Sequence, residues 1–142
     1  MSKSAVKTDR RVARALILQI LYEVDVTNHN LPETLTYHIN EAELKRAQKR
    51  FIRQIVFGTL KYKSEIDQAI QEVATEWPLD QLPPVDRNIL RMAFYELNYQ
   101  TKRAHQIVIN EAIELARLYG SDSSPRFING VLGTLVKGQL SI

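Results

Sequence analysis

Apolar residues in this chain recur at spacings of three and four, and all five prolines fall between the periodic segments rather than within them. That period matches an α-helix with one buried face, and the strict alternation of a half-buried strand is absent. The chain is therefore expected to be all-α. About seven helices are legible, arranged as two packed helical sub-bundles.

The first helix is expected to begin near Thr8 as N-cap and to run to about Val26, with Ala13, Leu16, Ile17, Ile20 and Val24 inward. A short helix follows Asn30, with Pro32 at its first position, where a missing N–H costs nothing, and Glu33 in its first turn. A longer one spans roughly Glu41–Lys61, with Leu44, Ala47, Phe51, Ile55 and Val56 inward and Lys45, Arg46, Lys49, Arg50 and Arg53 outward. Ser64 and Asp67 have N-cap and N3 spacing for the next, in which Ile66, Ile70, Val73, Ala74 and Trp77 line up.

Trp77-Pro78 closes that segment and Leu82-Pro83-Pro84 opens another, so the stretch between them is the expected subdomain boundary. Residues 1–142 are then one domain, with a basic arm over 1–14 and sub-bundles over about 8–77 and 83–138. In the second, Val85, Ile89, Ala93 and Leu97 repeat every four residues. A basic loop, Thr101-Lys102-Arg103, leads to a helix over about Gln106–Tyr119, which Gly120 is expected to stop in a left-handed conformation. Ser123 or Ser124 caps the last helix and Pro125 starts it, with Phe127, Ile128, Val131, Leu132 and Leu135 on its apolar face.

Composition narrows the functional classes. With no cysteine among 142 residues, disulfides, thiolate metal sites and cysteine nucleophiles are excluded. No apolar run approaches the ~20 residues of a membrane span, and the amino terminus lacks a signal-peptide core, so a cytoplasmic protein is expected. The net charge is +3, and its placement matters more than its size. Residues 1–14 carry Lys3, Lys7, Arg10, Arg11 and Arg14 against Asp9 alone, a local +4. The remaining 14 basic and 15 acidic side chains leave the rest of the chain at −1. A basic arm on a near-neutral body fits contact with a polyanion, and a solubilising terminus is the alternative. Lys7, Arg10 and Arg14 also share one side of a helix start, where the dipole disfavours cations and an external anion would relieve the cost.

Catalytic chemistry finds little support. His29, His38 and His105 lack metal-ligand spacing, and no glycine-rich phosphate loop or GxSxG elbow occurs, so neither a metal nor a cofactor is expected. Asp86, Glu96, Glu111 and Glu114 could form a general acid/base pair, but they equally supply polar cross-links between helices. Tyr62, Tyr99 and Phe127, near Lys61, Lys63, Lys102 and Arg126, are candidates for stacking on unpaired bases, with core filling as the alternative for each.

Two strings in order carry a family resemblance. Pro84-Val85-Asp86-Arg87-Asn88-Ile89-Leu90-Arg91 runs on to Tyr95-Glu96-Leu97, and Ile109-Asn110-Glu111-Ala112-Ile113-Glu114-Leu115-Ala116-Arg117 is followed by Phe127-Ile128-Asn129-Gly130-Val131-Leu132. Together they resemble the mid-chain and carboxy-terminal signatures of the NusB family, with the resemblance spanning about Arg10 to Leu135. Ala104 stands where the family often has proline, and Gly133 where an acidic residue is common. The resemblance implies a non-catalytic antitermination factor that pairs with the ribosomal protein NusE on single-stranded boxA RNA. Such a factor acts with the transcription elongation complex, notably in ribosomal RNA operons. It implies RNA contacts at Lys3, Lys7, Arg10, Arg11, Arg14 and Phe127, with Tyr62 and Lys102 assisting, and NusE contacts at Tyr22, Asp86, Arg91 and Glu111. A helical protein-interaction scaffold, or the helical domain of an RNA methyltransferase, are the alternative readings.

Overall fold

A computed structural model describes residues 3–100 and 104–138. Within them the chain forms seven α-helices and one short 3-10 turn, with no strand: α1 Lys3–Val26, α2 Leu31–Glu41, α3 Arg46–Lys61, α4 Lys63–Val73, the turn Leu79–Gln81, α5 Pro84–Tyr99, α6 His105–Tyr119 and α7 Ser124–Lys137. The expected all-α class and helix number hold. Contacts divide the chain into Met1–Phe57 and Gly58–Ile142, so the boundary falls inside α3. It does not fall at the proline-rich stretch 77–84, because α4 packs on α5 and α7 and so belongs with the carboxy-terminal helices.

In the first unit, Ala13, Ile17, Leu18, Ile20 and Leu21 of α1 meet an interior shared by Leu35 and Ile39 of α2 and Phe51, Ile52, Ile55 and Val56 of α3. Nothing between Lys3 and Lys7 breaks a helix, so α1 starts five residues before Thr8, which lies inside it. Asn30 caps α2, its side chain accepting from the Glu33 N–H at 2.9 Å, so the helix starts at Leu31, one residue before Pro32. By contrast, α3 begins at Arg46 because Gln48 reaches back to the Lys45 N–H at 2.8 Å, the reciprocal half of a capping box. Leu44 is consequently half-buried and Ala47 exposed.

Where α1 ends, Glu23 gathers the chain that follows. Its carboxylate accepts from His38 Nε2 at 3.0 Å, His29 Nδ1 at 2.9 Å and Thr34 Oγ1 at 3.2 Å. Those bonds, His38 first and His29 next, hold the Glu23 carboxyl below its ordinary range.

In the second unit α5 is the central element. Residues 88–97 are buried without interruption, so the helix is covered on every side. Both α6 and α7 pack on it, α6 packs on α7, and α4 closes a further flank. The close approach at Gly58 depends on a missing side chain, since a Cβ there would lie 2.0 Å from the Tyr95 ring. Gly120 stops α6 with φ −93° and ψ −167°, an extended conformation instead of the left-handed one expected. Space again requires the glycine there, because a Cβ would sit 2.6 Å from Ser124 Oγ and 2.8 Å from the Ala116 carbonyl oxygen.

Two glycines within helices should answer substitution oppositely. Gly58→Ala is expected to destabilise by about 1–3 kcal/mol in urea unfolding, because the Tyr95 ring must be displaced. Gly130→Ala meets nothing within 4 Å and should stabilise by up to ~1 kcal/mol through helix propensity. Because the folded-state Glu23 carboxyl lies below its unfolded value, its contribution is present above the ordinary carboxylate range. That contribution is lost as pH falls through the folded-state value. Glu23→Gln should therefore lower stability by about 1 kcal/mol at neutral pH, and equilibrium unfolding should show the gap to wild type closing on acidification.

Candidate RNA and partner surfaces

The amino-terminal cations do not form a uniform arm. Lys7 and Arg11 are exposed, Arg10 is half-buried, and Arg14 is buried, with 5% of its surface accessible. The reason is Phe51, over whose ring the Arg10 guanidinium carbon lies 4.0 Å from the centroid and that of Arg14 5.3 Å. Both cations thus rest on an aromatic face, which gives the helix start a structural use for positive charge. Lys45 Nζ meets Asp9 at 3.0 Å, and Gln48 Nε2 donates to the Asp9 carbonyl at 2.9 Å, fixing the same turn of α1 against α3. The one carboxylate of the arm is thereby occupied. The side chain of Lys3 and the whole of Lys102 lie outside the described residues.

On α1, Val12, Ala15, Gln19, Tyr22 and Val26 follow spacings of 3, 4, 3 and 4 and so form one seam. Val12, Gln19, Tyr22 and Val26 are exposed and Ala15 half-buried. This apolar seam, broken by a single glutamine, is left open to solvent and takes no part in the core.

The other three predicted partner residues, Asp86, Arg91 and Glu111, are buried. Asp86 accepts from Ser124 Oγ at 2.7 Å, and Ser124 in turn accepts from the Ser121 N–H at 2.9 Å. This chain ties the start of α5 to the start of α7. Arg91 grips Asp67 of α4 with two bonds, Nε at 2.8 Å and Nη2 at 3.1 Å. Asp67 therefore serves as an inter-helix acceptor and not as the N3 member of a cap, and α4 begins at Lys63 with no side-chain cap. In the structure Asp86 and Arg91 cross-link helices, and Glu111 is buried on α6.

Tyr62 is half-buried in a stack, 4.4 Å between ring centroids from Tyr99, which lies 5.1 Å from Tyr95. Lys61 Nζ is 5.3 Å from the Tyr62 centroid. Burial chiefly, with Glu65 adding to it, pushes the Tyr99 phenol above its ordinary value, so this phenol stays neutral at physiological pH. Phe127 is half-buried at a groove between the end of α4 and the first half of α7, beside Trp77 and Arg126. Helical periodicity places Trp77 on the buried stripe with Ile70 and Val73, yet α4 ends at Val73 and the indole is 58% exposed. A Trp-Pro pair just after a helix is the signal that could have found it.

Among the described residues no group of three or more His, Asp or Glu side chains could hold a metal ion. No helix there is long and apolar enough to cross a membrane.

Known proteins agree with this architecture. The NusB family matches residues 11–137. A protein of Roseiflexus sp. (strain RS-1), described as transcription antitermination protein NusB, is 45% identical over 129 residues, covering 89% of this chain and 91% of its own. Among solved structures, T. maritima NusB superposes with a TM-score of 0.86 at 31% identity, over 93% of both chains. A chain from a crystal structure of antitermination factors NusB and NusE in complex with dsRNA gives 0.83 at 26% identity, over 92% of this chain and 98% of that one. With a family match over most of its length, and both signature strings placed on the helices around α5, the chain belongs to the NusB family.

Proposed function

We propose that this protein is an RNA-binding transcription antitermination factor that pairs with the ribosomal protein NusE on boxA RNA, supports ribosomal RNA transcription and catalyses nothing. The observation that carries the reading is the pairing of exposed cations on the first turns of α1 with an open apolar seam further along the same helix. Phosphate attraction and partner docking are thereby assigned to different stretches of one rigid element. The family relatives are antitermination proteins, and one solved relative was crystallised with NusE and RNA.

Residue roles follow from accessibility. Lys7 and Arg11 are the phosphate contacts. Arg10 contributes from the side of its guanidinium not resting on Phe51, and Arg14 positions the others by anchoring the helix. Lys3 and Lys102 add positive charge to the RNA contact. Phe127 offers a stacking face, and Tyr62 supports it with a second one outside the groove. Tyr22 is the centre of the NusE contact on the first unit, and Asp86, Arg91 and Glu111 of the second unit also contribute to NusE binding, Asp86 and Arg91 by holding α5 to its neighbours. The reading as a scaffold that makes only protein contacts requires the exposed cations to be solubilising, and the salt dependence of RNA binding separates the two.

Lys7→Ala/Arg11→Ala should leave helicity and melting temperature near wild type, because neither side chain is buried. Fluorescence anisotropy with a boxA oligonucleotide should show weaker binding, and the slope of log K against log salt should fall by about 1.4 for two lost contacts with single-stranded RNA. An unchanged slope would remove the arm from the RNA site.

A further inference from the structure

The groove beside Phe127 has features that packing of the protein does not account for. It holds about 340 Å³, at the small end of ligand sites, and its walls come from Val73, Glu76, Trp77, Arg126, Phe127 and Gly130. Trp77, the chain's single tryptophan, stands at its edge with most of the indole in solvent. The segment bearing it is held in place by Gln71. That side chain donates to the carbonyls of Ala74 at 2.9 Å and Trp77 at 2.8 Å, and accepts from the Leu79 N–H at 2.7 Å. An aromatic kept out of the core on a segment pinned by three hydrogen bonds is prepared for an external ring, because little ordering remains to be done on binding.

Across the groove, Gly130 occupies an exposed position within α7, where a Cβ would touch nothing within 4 Å. Alanine there would favour the helix more, so the folded chain gains nothing from this glycine. What the missing side chain does supply is space beside Trp77. Charge identifies the occupant. Arg126 is the cation among the lining residues, and Glu76 is the carboxylate. A polyphosphate or a run of backbone phosphates would be repelled by Glu76, whereas a neutral planar ring with a single phosphate outside it suits both charges.

We propose that this groove takes one unpaired nucleobase of single-stranded RNA, stacked against Trp77 and passing over Gly130, with the adjoining phosphate at Arg126. The proposal rests on the RNA-binding reading above and extends it from Phe127 to a pocket whose wall is Trp77 and whose opening is Gly130. A duplex cannot enter, since the base must leave its own stack.

The lone tryptophan makes the test direct. Full-length protein is titrated with a boxA oligonucleotide while anisotropy of the labelled RNA and emission of Trp77 are followed together. Saturable quenching of Trp77 at the Kd given by anisotropy is expected, with none from the same sequence in a perfect duplex. Gly130→Leu, which keeps the tryptophan and favours the helix, should abolish quenching and weaken RNA binding about fivefold or more, the loss of one stacked base. Circular dichroism confirms that this variant is folded. RNA that binds by anisotropy without changing Trp77 emission overturns the pocket alone. RNA that does not bind at all overturns the reading beneath it. Quenching by purified NusE and not by RNA overturns the pocket too, by making the groove a protein site.

Discussion

A helix covered on every side must satisfy its own charges, and in the second unit that helix is α5. Asp86, Asn88, Arg91 and Glu96 lie on it among Ile89, Leu90, Phe94 and Leu97, all of them buried. An unpaired charge in that position would cost several kcal/mol, so partners must come from the neighbouring helices. Ser124 answers Asp86 and Asp67 answers Arg91, while Asn88 donates to the Pro84 carbonyl at 2.8 Å. The bonds of Asp86 and Arg91 set which turn of α7 and α4 faces which turn of α5. Since the groove lies between the end of α4 and α7, its width is fixed by the same bonds.

The first unit works by an analogous constraint at smaller scale. Phe51 offers one ring, and two guanidiniums use it, so Arg10 is half-buried and Arg14 buried while Lys7 and Arg11 stay exposed. At the far end of α1, Glu23 joins two histidines and a threonine of the segment that follows. Between these anchors lies the open seam of Val12, Gln19, Tyr22 and Val26. A rigid, apolar, solvent-facing stripe loses little entropy when a partner covers it.

Much of this was legible in the sequence, and what was not has physical causes. Period and proline placement specify the helices, because burial of one face contributes most to folding and periodicity reports it. Caps are less legible, since Ser64 and Asp67 match a capping pattern while Asp67 is claimed by an arginine 24 residues away. Asp86 and Glu111 read equally as an acid/base pair or as polar cross-links, and the resemblance implies NusE contacts there and at Arg91, because a string of residues does not reveal which side chain is buried. Trp77 shows the converse, since it fits the apolar stripe of a helix that in fact stops four residues earlier. Gly58 and Gly130 look alike in sequence, yet one is required by the Tyr95 ring and the other by nothing in the chain.

Under the proposed function RNA and NusE are bound together and not merely by the same molecule. Anisotropy of a labelled boxA oligonucleotide and of a scrambled control, each with and without purified NusE, tests it most directly. A preference for boxA that grows about tenfold when NusE is added is expected, equivalent to ~1.4 kcal/mol of coupling. Equal affinity for the two RNAs with and without NusE would contradict it, leaving a helical interaction domain with a basic start.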